Sequence, residues 1–467
     1  MKKILLIFLA FVALWAGWNF CFSYHLMGLE GFSFFYTMPD FIDLYHEMPK
    51  DIIKYIGTFL LQFYAIPAVG PVMHALYPVL IVLCIYVIVR RLSDDSRNLM
   101  WIAFLPLPFL IYYQLDDLKL NKILTVLAYA VVAMLLICAA TYKKKPFRSM
   151  PSFMHNKYLA LVVILVSLGA SVYTIAKNDK LQWAHEDAAH LEYLAERQEW
   201  DEILANVSTK DAARYDFKRR YALLALSEKG LLSEYAFSYG LSSSSDYVFD
   251  SPRDPFECKF NTIFYRALGK NNPAAYNLYL YTLQAVSGVT FYWIRTLTDM
   301  YLEQKDYLLA KKYMDILSHT SCHGKWLKER QPKLEAIKDA ELDYPSPEGR
   351  FFTEYFMKDV ANLAINNKSD HKYADYLMCG ALADRQSGNF LQVFNVLSPS
   401  LYPDGKIPTL YQEALLLLIN NNPQLSERYK IDDEVRARYE DFINMINIGR
   451  GAQAIRKYAG TYWAYIY

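Results

Sequence analysis

The chain has 467 residues, with 49 Lys and Arg against 48 Asp and Glu, a formal charge of +1. No charge bias points to nucleic acid or an acidic substrate, and the length suffices for two or three domains. Six Cys without a CxxC pair, three in apolar segments (Cys21, Cys84, Cys138) and three far apart (Cys258, Cys322, Cys379), argue against a disulfide framework or a zinc site.

Composition changes at about residue 177. Before it lie apolar runs near the ~20 residues that cross a bilayer as a helix. Residues 4–24 follow Lys2 and Lys3 and read as an uncleaved anchor, because no clear A-x-A site ends the run. Residues 71–89 form a second span closed by Arg90 and Arg91. Residues 99–115 form a short third span, which Pro106 and Pro108 would kink. The fourth is 123–142, before Lys143, Lys144, Lys145 and Arg148, and the fifth is 158–176. Cytoplasmic loops carry the excess of Lys and Arg. Five spans with the N-terminus inside put both basic loops in the cytoplasm. Residues 178–467 then fall outside it, in the periplasm of a two-membrane bacterium.

Residues 51–66 have Ile52, Ile56, Phe59, Leu60 and Phe63 on one helical face. This reads either as an amphipathic helix on the outer membrane surface or as a helix packed on the spans. A helix of this kind follows the first span in polyprenyl-dependent glycosyltransferases, where an acid in that loop does the chemistry. Asp40 and Asp43 are candidates in that light, and solvated loop acids otherwise. Asp116 and Asp117, at the outer end of span three, would bind a cation or sugar-phosphate, or simply stop the span.

Beyond residue 181 the apolar spacing is three and four, which argues for helices. Four stretches read as helical hairpins: His190–Val207 turning at Gln198-Glu199, Tyr221–Tyr239 turning at Lys229-Gly230, Leu297–Tyr313, and Tyr376–Leu397 turning at Ser387-Gly388-Asn389. Their aromatic-then-Ala spacing is similar to the tetratricopeptide hairpin. One hairpin cannot bury its apolar face alone, so neighbours must stack. Stacking gives either a concave surface for a protein or peptide segment or a compact body without a groove.

Several local patterns fail as motifs. His185 and His190 stand five apart, about 140° around a helix, where a zinc helix needs four. Glu186 and His190 share a face instead. Gly449-Arg-Gly451 lacks the third Gly and the preceding strand of a nucleotide fingerprint. Cys322-His323 has no acid partner visible in sequence. Asn206 and Asn367 fit sequons, relevant only in a host with the machinery. His74 is the ionisable residue of note within the spans, where a satisfied packing role is expected. No catalytic, metal or cofactor residue is assigned.

Three pieces together, Tyr55–Gly70, Tyr301–Leu317 with Trp326, and Tyr458-Ala-Gly-Thr-Tyr462-Trp463, resemble a family of uncharacterised multipass membrane proteins of Bacteroidota-type bacteria. The resemblance implies a membrane region with a tetratricopeptide-like tail, no established activity and no functional residue. The expectation is an all-α protein: a membrane domain over 1–177 and a helical-hairpin domain over 178–467. Its partners would be the lipid bilayer and a protein or peptide, not nucleic acid. The expected role is a membrane scaffold in envelope or surface-polysaccharide assembly. The alternative is an enzyme, or a relic of one, acting on lipid-linked sugars.

Overall fold

The computed structural model describes residues 2–37, 51–93, 99–116, 118–142, 154, 156–177, 180–284, 288–342 and 355–467. Among the described residues the elements are helices, with no strand. Two compact units emerge: Met1–His190 with Ala285–Leu342, and Leu191–Gln284 with Asp343–Tyr467. The boundary of packing therefore differs from the boundary of apolarity at residue 177. Residues 285–342 are polar by composition but belong to the unit that holds the apolar helices.

In the first unit, α1 (Lys2–Gly31), α2 (Ile52–Leu61), α3 (Val69–Leu92), α4 (Met100–Phe104), α5 (Leu107–Leu115), α6 (Asn121–Ala140) and α7 (Lys157–Ala176) pack together. α1 packs on α3 and α7, α3 on α6, and α5 on α7. Their shared core includes Leu14, Trp18, Leu26, Ile81, Phe104, Ile111, Ile123 and Ile175. Outward, Tyr129, Leu135, Leu136, Val162, Leu165 and Val166 are exposed. Exposed apolar side chains in this number are costly in water and natural in lipid.

Four helices are long and apolar enough to cross a membrane: Ile4–Gly31, Val69–Leu92, Asn121–Ala140 and Lys157–Ala176. The expected third span is broken into α4 and α5 at Leu105-Pro106. Pro106 is the N-cap of α5, and Pro108 sits in its first turn, where a missing N–H costs nothing. Residues 100–115 reach about 24 Å at ~1.5 Å per residue, short of the ~30 Å core. α2 buries Gly57 and Leu61 while Ile52 and Ile56 stay exposed. At Gly57 a methyl group would meet Asn121 Oδ1 at 2.8 Å, so this glycine sets the approach of α2 to α6.

α1 is two helices joined at a kink. Phe22 has φ −143°, which breaks the hydrogen-bond ladder and frees the next N–H groups. The kink lies beside the end expected for the first span. The same unit holds the helices Phe291–Glu303, Tyr307–Ser318 and Gly324–Ala336. These surround a small core of Leu302, Ala310, Met314 and Leu334.

The second unit has one continuous core rich in aromatics, among them Tyr221, Tyr247, Phe260, Phe264, Tyr376, Phe390, Phe394, Tyr411 and Trp463. Its helices repeat one turn. Residues Gln198, Gly230, Gly240, Gly269, Arg385 and Gly449 all have positive φ. After each, an N–H reaches back five residues, as in Glu199 N–H to Leu194 O at 2.9 Å and Gln386 N–H to Ala381 O at 2.8 Å. This is the Schellman closure, which satisfies carbonyls at a helix end. Lys305 in the first unit does the same. The hairpin turn expected at Ser387-Gly388-Asn389 is thus displaced to Arg385-Gln386, and Gly388 lies inside the helix Ser387–Leu401. Gly449-Arg-Gly451 is another such turn.

Candidate functional site

Two clusters of polar side chains stand out, one in each unit. The first is a collar around the end of α1. The kink frees the N–H groups of Tyr24 and His25, and both donate to the carboxylate of Glu186, at 3.0 and 2.8 Å. Glu186 so acts as an N-terminal cap supplied from another helix, where an anion is favoured. Burial nevertheless outweighs these donors and holds its carboxyl above the usual range. One turn on, His190 stacks on Tyr24, ring centroids 4.1 Å apart. His185 stacks on His25 at 5.8 Å.

Glu30 lies at the C-terminal end of α1, six residues past Tyr24. It is 2 % exposed and takes a two-pronged contact from Arg295, at 2.5 and 2.8 Å. His323, equally buried, places Nε2 3.0 Å from Glu30 and 3.0 Å from Arg295. The Thr320 hydroxyl donates to Leu317 O, so it accepts from His323 Nδ1 at 2.8 Å. That leaves Nε2 turned to the charged pair: a neutral ring accepts from Arg295, and a protonated ring donates to Glu30. Backbone bonds extend the clamp, from Phe291 N–H to Ser33 O at 2.8 Å and from Thr37 N–H to His319 O at 3.2 Å. Ser321 N–H donates to buried Gln62 at 3.1 Å. Cys322 is no activated nucleophile: burial, aided by Glu30, pushes its thiol up to about 11.

The second cluster lines an open cavity of about 510 Å³ in the second unit. The helix Asp216–Glu228 ends at it and the helix His371–Ala383 begins at it. Lys372 Nζ binds both oxygens of Glu228, at 2.8 and 3.0 Å. Asp370 caps the Lys372 N–H at 2.9 Å. At the floor Asp375, 4 % exposed, accepts from the Tyr411 hydroxyl at 2.7 Å. Ser233 is its other hydroxyl partner, and neither carries positive charge. Burial drives the Asp375 carboxyl up to about 7, against the pull of these hydroxyls and with the help of Glu234 and Asp370.

A model for a family of unknown function, DUF6057, matches residues 1–173 and 118–467. The chain belongs to DUF6057. No curated protein and no solved structure matches it.

In this DUF6057 member one of the four acids singled out in the sequence, Asp116, lies among the described residues. Asp116 is a surface group, its side chain 66 % exposed, paired with Lys122. Asp40, Asp43 and Asp117 lie outside the described residues. His74 is fully buried, its Nδ1 2.7 Å from Gln114 Nε2, with the rings of Trp18 and Tyr64 at 4.7 and 5.8 Å. The fragments that fail as motifs bind the last turns of α1: Glu186 and His190 at Tyr24 and His25, just past the kink, and His323 at Glu30. Sequence reasoning missed Glu30, Arg295 and Asp375. Glu30 carried a faint signal, as an acid just past a membrane-length run. Asp375 carried none.

Proposed function

We propose that this protein is a membrane-anchored scaffold that presents its second unit to a protein partner. The collar supports this reading most directly. A polar hairpin far along the chain is locked, through Glu30, Arg295 and His323, to the end of the first apolar helix. That makes the polar hairpin and the apolar helices parts of one unit. From that unit the chain leaves into the second unit at Leu191, returns at Ala285, and leaves again at Asp343.

The finer reading is an inner-membrane protein of a Bacteroidota-type bacterium with five spans. The broken segment 100–115 would cross as the third, beside α3, α6 and α7, on which it packs. Exposed Phe109 and Tyr112 would meet lipid or its interface. The N-terminus would be cytoplasmic, the second unit a periplasmic, tetratricopeptide-like body, and the process envelope or surface-polysaccharide assembly. Basic Arg90, Arg91 and Arg97, and Lys143 to Arg148, support that orientation.

Mild crosslinking in the native host, followed by purification of the full chain, tests the role. A reproducible partner lost on Lys372→Glu is the expected result. Recovery of no partner from crosslinked cells would sink the scaffold reading. Topology reporters at residue 180 and at the C-terminus test the orientation, and a cytoplasmic signal at either overturns it.

A further inference from the structure

The broken segment α4–α5 has both of its ends fixed inside the first unit. The Trp101 indole N–H donates to Met154 O at 3.1 Å, three residues before α7 begins at Lys157. Gln114 Nε2 donates to His74 O at 3.2 Å, in the second turn of α3, and lies 2.7 Å from His74 Nδ1. From His74, α3 leads away toward Leu92, and the chain then reaches α4. The segment therefore runs the depth of the bundle, from the end where α7 starts to the end where α3 starts. It does so with the residues Met100–Leu115, about 24 Å of helix at most. α6 and α7 have 20 residues each, about 30 Å.

Aromatic spacing gives the same difference by another route. Tyr and Trp gather where hydrocarbon meets headgroups. On α7 the exposed Tyr158 and Tyr173 each have a lysine over the ring, Lys157 at 5.1 Å and Lys177 at 5.8 Å. Their separation along the helix is about 23 Å. On the broken segment the matching pair is Trp101 and exposed Tyr112, next to Tyr113 with Lys122 over its ring at 5.4 Å. That pair is separated by about 17 Å. Leu105 and Phe109 are exposed between them. Both measures leave this face about 6 Å shorter than that of α7.

We propose that the exposed face of α4–α5 binds a thinned strip of bilayer, its hydrocarbon about 6 Å shallower than α6 and α7 require. The proposal rests on the reading of residues 100–115 as a crossing. A helix longer than the local hydrocarbon can tilt into it, whereas a shorter one is met by thinning, snorkelling or association with another protein. Snorkelling needs a long charged side chain just past the apolar run. Here the first charged residue after Tyr113 is Asp116, which is short, and Lys122 is turned back onto it. The occupant is phospholipid, with acyl chains against Leu105 and Phe109 and headgroups at the level of Tyr112 and Asp116. Drawing these polar ends into hydrocarbon would cost more than the modest strain of a thinner bilayer.

The test is thermal unfolding of the full chain in phosphatidylcholine bilayers of increasing acyl-chain length. Tyr112→Leu with Asp116→Leu extends the apolar run by about 6 Å, one helical turn. The wild type should be most stable in shorter lipid than this variant, and an unchanged optimum overturns the proposal. A genetically encoded nitroxide residue, read by EPR power saturation, keeps the test independent of the variant. In place of Tyr112 it should report headgroup depth, and a reading inside the hydrocarbon overturns thinning. In place of Phe109 it should be open to oxygen, and shielding there means that protein, not lipid, covers the face. Nitroxides at Ile102 and Tyr112 should be reduced by ascorbate from opposite sides of the membrane. Reduction from one side overturns the crossing itself, a failure distinct from a normal crossing in a bilayer of full thickness.

Discussion

Each unit buries a carboxylate almost completely, Glu30 in one and Asp375 in the other, and treats it oppositely. Glu30 meets a guanidinium squarely and an imidazole beside it. Asp375 meets only hydroxyls. Burying a charge costs several kcal/mol unless a partner and hydrogen bonds return it. The first unit supplies that return internally and uses it to tie distant pieces of chain together. The second withholds it, and the acid is left uncompensated beside an open cavity. Equal burial therefore separates a charge-paired structural clamp from an acid whose ionisation the fold opposes.

The sharpest break of this contrast is Glu30→Ala. It leaves the Arg295 guanidinium part-buried without its acid, and a loss of roughly 3–5 kcal/mol is expected. Thermal unfolding in nanodiscs should show it as a large drop in Tm. Arg295→Met on the same background should restore much of the loss, because the stranded charge is gone. If the double variant is no better than Glu30→Ala alone, the pair is not the clamp.

Asp375→Asn should act in the other direction. An acid whose folded pKa is raised binds more protons folded than unfolded, so its contribution is fully present below its unfolded value near 4. It is lost as pH rises through about 7. Removing the charge should therefore stabilise the chain near pH 8 by about 2–4 kcal/mol, and hardly at all near pH 4. Glu413 is also raised to about 7 by burial and adds the same slope to the wild type. The variant should keep that residue's share of the pH dependence. A variant less stable than the wild type near pH 8 would show that Asp375 is compensated after all.

The contrast was largely hidden in the sequence, and the reason is separation. Apolar runs and hairpin spacing are local, so the long helices and the turns at Gln198 and Gly230 could be read in advance. The collar joins Tyr24 to Glu186 across 162 residues and Glu30 to His323 across 293. No local spacing encodes such a meeting. His185, Glu186, His190 and His323 were noticed for the wrong reason: rare residue types drew attention as possible chemistry and turned out to hold α1. Asp375 sits among ordinary helix residues, and only burial distinguishes it. The displaced turn at Arg385 has another cause. Gly388 looked like the breaker, but the residue that adopts positive φ is an arginine.

That exception leads to the smallest effects, which ask what a shared turn costs in each place. Gly240 and Gln198 hold the same left-handed position, at φ 80° and 59°. At Gly240 a methyl group would also lie 2.9 Å from Ala213 Cα. Gly240→Ala thus combines backbone strain with a close approach to main chain, and about 1–3 kcal/mol should be lost. Gln198 is exposed and already bears the left-handed penalty of about 1–2 kcal/mol. Glycine there would remove that strain but add about 0.4–1 kcal/mol of unfolded-chain entropy. Gln198→Gly should therefore stabilise the chain by only about 0.5 kcal/mol, read as a slight rise in Tm. A fall in Tm instead would mean that the Gln198 side chain contributes to the turn. Glutamine would then be specified by contact, much as Gly240 is specified by space.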